Sequence, residues 1–225
     1  MSLPAPVLDL AASVVPDAED LGKLAFAYAH GAPLSGFGDP DEIGLVCVWD
    51  QPEIPAAAPT EATHVTQSWF DGLVTTVTSG EGWSQPPTAA LTDIAAFAYG
   101  VLLSDDAGAG TAARGTVSEF PTLLATRSAK ALTEDLTTVP AALSNDTDPW
   151  TRAETLTTAL YRAYVAWFAA HGHYFPGPAR RHEYATHFGM DEVIPKAEQN
   201  LWKTLDPTHQ SDRYTEFAQL ILNDQ

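Results

Sequence analysis

The residues best suited to chemistry fall between positions 30 and 50. GAPLSG (Gly31 to Gly36) sets two glycines five apart, Gly38 follows, and then come Asp39, Asp41 and Glu42. Glycines allow a backbone to close on a phosphate, because no Cβ keeps it away. Carboxylates supply the hard oxygens that Mg²⁺ requires. Glycines and acids in one short connection are therefore the layout of a nucleotide site. The flanks must hold that connection still. AFAYAH (Ala25 to His30) and IGLVCVW (Ile43 to Trp49) read as strands, the second an apolar, β-branched run suited to burial on both faces. Asp39-Pro40-Asp41 is a turn signal between them.

Other groupings are weaker. His171, His173, His182 and His187 lie close in sequence, but no cysteine accompanies them. His182 and His187 are also spaced off a common helical face, so turn and cap roles are simpler than zinc. GAGTAARG (108–115) has phosphate-loop glycines without a following Lys-Ser/Thr, and reads as a loop. Arg180 and Arg181 are the best anion contacts in a chain with few cations, with ion pairing as the competing role. No serine sits in a Gly-x-Ser-x-Gly setting. Cys47, alone and inside an apolar strand, is a small hydrophobe.

Composition bounds these readings. The chain has 225 residues, 45% of them hydrophobic, enough for one large or two smaller domains with real cores. Its formal net charge of −18 opposes phosphate backbones, so nucleic acid is an unsuitable partner, whereas a cationic small molecule would be attracted. No basic n-region precedes an apolar segment, and the candidate spans 89–103 and 156–170 carry Asp93 and Arg162. These features predict a soluble, cytoplasmic protein without a membrane partner.

Along the chain, residues 5–15 predict a helix ended by Pro16, and QPEIPAAAPTEAT a surface loop. HVTQSWF and LVTTVTS flank Asp71-Gly72, which predicts a β-hairpin over 64–79. Residues 88–98 predict a helix. From about residue 116 helical spacing takes over. The clearest helix is 148–171, with Asp148 as N-cap and Pro149 in its first turn. Helices are also expected over 181–188, 191–205 and 213–222. The expectation is an α+β protein: a domain over 1–115 with a small mixed sheet, and an all-helical domain over 116–225.

The opening stretch resembles the nucleotidyltransferase superfamily, the polymerase-beta-like fold that includes bacterial antibiotic adenylyltransferases. That family has Gly-Ser-x-x-x-Gly after its first strand, Asp-x-Asp on the next, and a third carboxylate on a later strand. GAPLSG matches the glycine spacing, with Ala32 at the serine position. DEIGL then aligns Glu42 with the first metal carboxylate and Gly44 with the second. The predicted hairpin stands where the third belongs, at Thr75 or Thr76. GVLLSDDAG and the later stretch ALYRAYVAWFAAHGHYFPGPAR also resemble family passages. A lysine common near the later Pro-Gly turn is replaced by Ala179, with Arg180 adjacent.

The resemblance implies nucleotide contacts at Gly31, Ala32, Ser35, Gly36 and Arg180. It implies a catalytic and metal role for Glu42, helped by Asp41, with Asp39 and Asp50 as further substitutes. Two metal ions about 4 Å apart must clamp the attacking and leaving oxygens. Glycine and threonine at the other carboxylate positions remove that clamp. The leading expectation is a non-catalytic relative that binds a nucleotide or small cationic ligand in a cleft between the domains. The alternatives are an active, Mg²⁺-dependent nucleotidyltransferase acting on a small molecule, and an interaction protein that binds no ligand.

Overall fold

The computed structural model describes residues 5–38, 42–80, 87–145 and 148–224. The chain divides into two units, Met1–Ser79 with Thr92–Glu119, and Gly80–Leu91 with Phe120–Gln225.

In the first unit the apolar runs become strands. β1 (Leu24–His30) pairs antiparallel with β2 (Gly44–Trp49), which pairs parallel with β3 (Thr63–Thr66). With β4 (Val101–Ser104) antiparallel to β1, the sheet order is β3-β2-β1-β4. A parallel partner needs a crossover of about a dozen residues or more. The Pro/Ala-rich stretch between Trp49 and Thr63 supplies it.

Both faces of the sheet are covered, as alternation along a strand requires. Ala27, Leu45, Cys47 and Trp49 form one core with Val14, Val15 and Ala18 of α1 (Ala5–Leu21). On the other face Phe26 lies 5.0 Å from Phe70 of α2 (Gln67–Ser79), and Tyr28 lies 5.1 Å from Phe97 of α3 (Thr88–Tyr99). Phe70 and Phe97 meet edge to face at 4.9 Å. Each such pair contributes about 0.5–1.5 kcal/mol beyond the burial of its surface.

Three local expectations change. α1 continues through Pro16, held by Val15 and Ala18 against the sheet, although an interior proline costs about 3 kcal/mol. The Asp71-Gly72 hairpin does not form: residues 67–79 are α2. Its buried side chains, Phe70, Leu73 and Val77, recur at helical spacing. The Thr66 hydroxyl opens the helix by accepting Trp69 N–H at 3.2 Å. Packing on the aromatic face overrides the β-propensity of Thr and Val. GAGTAARG is also not a loop, for it lies within α4 (Ala109–Ser118) and the turn before it. The Asp105 carboxylate caps α4 by accepting Gly110 N–H at 2.8 Å and Thr111 N–H at 2.7 Å. An internal anion thus occupies the position that a bound phosphate would need.

The second unit is mainly helical, with no strand among its described residues: from Phe120 onward it holds α5 (Thr122–Asn145), α6 (Pro149–Ala170), α7 (Arg181–His187), α8 (Val193–Trp202) and α9 (Pro207–Asn223). Asp148 caps α6 as expected, accepting Thr151 N–H at 2.9 Å. Asp206 caps α9 in the same way through His209 N–H at 3.0 Å. Arg162 of α6 grips Asp135 of α5 through two bonds, at 2.6 and 2.9 Å. The protein is therefore α+β, with one small mixed sheet and a helical C-terminal region. Among the described residues no helix is long and apolar enough to cross a membrane.

Candidate functional site

The connection between β1 and β2 begins where β1 ends at His30. Gly31 opens a short 3-10 turn, Ala32–Ser35, with φ of 138°, and Gly36 closes it in the left-handed region at φ 90°. Leu34 N–H donates to Gly31 O at 3.1 Å and Gly36 N–H to Pro33 O at 3.2 Å, so the turn is internally bonded. Glycine is required at Gly31 for a second reason. A Cβ there would lie 2.4 Å from the backbone oxygen of Glu42. The start of the loop is thus pressed against the residue that precedes β2.

Gly38, with φ of 87°, brings the far side of the loop back to the same place. A Cβ at Gly38 would meet the Ala32 methyl at 2.8 Å and Glu42 Oε2 at 3.6 Å. The Glu42 carboxylate therefore lies beside the glycine loop. Ala32 is only 3% exposed, its methyl tucked under Gly38, while Ser35 is half-buried. Asp39 and Asp41 lie outside the described residues.

The position aligned with the second carboxylate has a specific occupant. Gly44 pairs with His30 across the β1–β2 ladder. A Cβ on Gly44 would come within 2.4 Å of His30 Nε2, so the imidazole fills the space above the glycine. No side chain fits at position 44 unless His30 moves. Burial holds the His30 imidazole below its ordinary pKa of 6.5, favouring the neutral ring. His30 belongs to the same strand face as Tyr28, with the two ring centroids 6.2 Å apart. Asp93 of α3 adds to this face: burial raises the Tyr28 hydroxyl strongly, and the Asp93 charge raises it further. The Asp93 carboxyl is itself raised by desolvation.

Thr75 and Thr76 stand on α2, not on a strand, and so cannot hold the place of a strand-borne third carboxylate. Among the described residues no three His, Cys, Asp or Glu groups are placed to hold a metal ion. The second unit contains Arg180, at the end of a 3-10 turn, Pro178–Arg180, where its guanidinium donates to Glu183 at 2.5 Å. Arg181 donates to Glu198 at 2.6 Å. Both arginines thus carry the ion pairs that competed with an anion role. No family model matches this chain, and no curated protein does.

His30 is the residue that spacing alone did not single out. Its partner Gly44 lies across a strand pair, and cross-strand register is set by three-dimensional pairing. The only local signal was its place as the last strand residue before a glycine.

Chemically, the arrangement offers a backbone loop able to approach a polar ligand closely and one carboxylate beside it. The His30 imidazole stands over Gly44, the position that the resemblance alone would give a second carboxylate. Among the described residues the site shows one carboxylate rather than the paired oxygens that stabilise charge developing on a transferred phosphoryl group.

Proposed function

We propose that the protein is a nucleotidyltransferase-like relative whose metal site is degenerate, and that it binds a nucleotide or a small cationic ligand without transferring a nucleotidyl group. The observation that carries this reading is the His30 ring over Gly44. A missing carboxylate could be replaced by one rotated in from nearby. A position filled by another side chain can receive one only if that side chain moves away.

Glu42 keeps the role of the surviving acidic group, with Gly31, Ala32, Ser35 and Gly36 as the loop that faces the ligand. Losing one electrostatic stabiliser costs about 10²–10³ in rate, and losing most of a coupled site costs more. The test is pyrophosphate release from each nucleoside triphosphate with hydroxyl and amine acceptors, cationic ones included, in the presence of Mg²⁺. No turnover is expected. Turnover that disappears in Glu42→Ala would contradict the proposal. Gly44→Asp alone should not create a Mg²⁺ site, because His30 stands in the way. Gly44→Asp combined with His30→Ala should raise Mg²⁺ affinity.

A further inference from the structure

One histidine of the helical unit plays no part in the nucleotide reading. His182, on α7, brings its Nε2 to 2.6 Å from Glu198 Oε2 on α8. The Tyr164 hydroxyl of α6 donates to the same oxygen at 2.7 Å. The other oxygen, Oε1, accepts from the Arg181 guanidinium at 2.6 Å and from the Trp202 indole N–H at 3.3 Å. The Tyr164 ring backs the imidazole edge to face, with centroids 5.5 Å apart. The Glu198 side chain is 2% exposed, whereas that of His182 is 45% exposed and Trp202 is 42% exposed. A buried anion thus holds two rings that reach the surface.

The donor inventory of this cluster fixes the imidazole tautomer. Guanidinium and indole groups can only donate, and an ionised carboxylate can only accept. Burial opposes the ionisation of Glu198, yet the bonds from His182, Arg181 and Tyr164 keep it ionised. In the neutral His182 ring, Nε2 therefore carries the proton and Nδ1 the lone pair. Nδ1 makes no hydrogen bond with a described residue, so its lone pair is left to the solvent side of the ring. The tie between α7 and α8 is complete without Nδ1. An imidazole held in one tautomer by a buried carboxylate, with its second nitrogen open, is the arrangement of a general base.

We propose that His182 is a general base for the hydrolysis of uncharged carboxylic esters at the surface of the helical unit, with the exposed Trp202 indole as the face on which the apolar part of the ester rests. Nδ1 takes a proton from a water molecule as the water oxygen bonds to the acyl carbon. The bond from that carbon to the ester oxygen then breaks. The proton on Nδ1 passes to the departing oxygen, which leaves a carboxylic acid and an alcohol, with nothing oxidised or reduced. Glu198 touches neither water nor ester. It is a positioning residue that keeps the proton on Nε2 and balances the charge carried briefly by the ring. The formal net charge of −18 turns away anionic substrates and leaves an uncharged ester unopposed.

The experiment is hydrolysis of para-nitrophenyl butyrate by the full chain in mildly alkaline buffer, read as released nitrophenolate. His182→Gln should lower kcat/KM about 10²-fold, the lower end for a positioned acid–base group. His209→Gln, which removes a more exposed histidine, should leave it unchanged. Trp202→Ala should raise KM with little change in kcat. Glu198→Gln tests the positioning. Arg181 and Trp202 require the amide oxygen, so the amide NH₂ is turned toward His182. Nε2 must then accept, the proton moves to Nδ1, and the base is lost. Ring-nitrogen NMR shifts should show that exchange of tautomers, and kcat should fall while KM holds. Should Glu198→Gln not fold, the same shifts in the unmodified protein still show which nitrogen is bare. Hydrolysis no faster than in buffer overturns the proposal. Equal losses in His182→Gln and His209→Gln do so too, as does a neutral His182 ring with its proton on Nδ1 in the unmodified protein.

Discussion

Two glutamates mark the contrast between the units. Glu42 is exposed and lies beside a glycine loop. Glu198 is 2% exposed and accepts four side-chain donors: Tyr164 at 2.7 Å, Arg181 at 2.6 Å, His182 at 2.6 Å and Trp202 at 3.3 Å. Burial opposes its ionisation, yet the bonds from His182, Arg181 and Tyr164, with the Arg181 charge, hold the carboxyl at about 2. The donors come from α6, α7 and α8, so one anion ties three helices together. A buried charge whose bonds are all made inside the chain serves architecture. Glu42 lies instead at the surface beside a close-approach loop, where the proposed ligand would be met. The same residue type thus sits in opposite settings in the two units.

The largest expected effect comes from removing the architectural glutamate. Glu198→Ala removes the buried acceptor of Tyr164, Arg181, His182 and Trp202 and leaves the half-buried Arg181 guanidinium without its ion pair, and should cost about 3–5 kcal/mol in urea unfolding. Glu42→Ala should stay within about 0.5 kcal/mol of the unmodified protein, as expected for an exposed position. Equal losses from the two substitutions would break the contrast.

Acid provides the next test. The folded Glu198 carboxyl lies at about 2 against an ordinary 4.5, so it stabilises the fold fully above the ordinary value. That stability, about 3 kcal/mol in order of magnitude, is lost as pH falls from 4.5 toward 2. Thermal melting at closely spaced pH values should show this loss over that window. In Glu198→Gln it should vanish.

In the glycine loop, Gly31→Ala should destabilise by about 1–3 kcal/mol, because its φ and its contact with the Glu42 carbonyl both exclude a Cβ. Gly36→Ala should cost less, about 1 kcal/mol, since only its φ objects and nothing lies within 4 Å of an added Cβ. The reverse order would mean that the loop is not pressed onto residue 42. An effect of the opposite sign is expected at Gly72, mid-helix in α2 with open space around an added Cβ. Gly72→Ala should stabilise by about 0.5–1 kcal/mol. A loss there would restore the Asp-Gly turn.

That last substitution shows where local signals fail. β1, β2 and α6 were legible because their signals are local and agree: apolar alternation or runs in the strands, and Asp148-Pro149 at the start of α6. α2 was not, because Thr and Val favour strands locally while Phe70, Leu73 and Val77 are rewarded only by the aromatic face they pack against. α4 was missed because its cap, Asp105, sits several residues upstream, outside a Gly/Ala-rich run that looks featureless. In the candidate site, the glycine loop and Glu42 were visible as a motif, and the roles proposed for them come from the resemblance alone. The His30–Gly44 pairing was invisible, because it depends on the register of two strands.

The central claim is a ligand site without a two-metal clamp, and calorimetric titration of ATP with and without Mg²⁺ tests it most directly. The account predicts binding that is the same with the metal and without it, and that weakens in Gly31→Ala. Binding that is tight only with Mg²⁺ and lost in Glu42→Ala would contradict it.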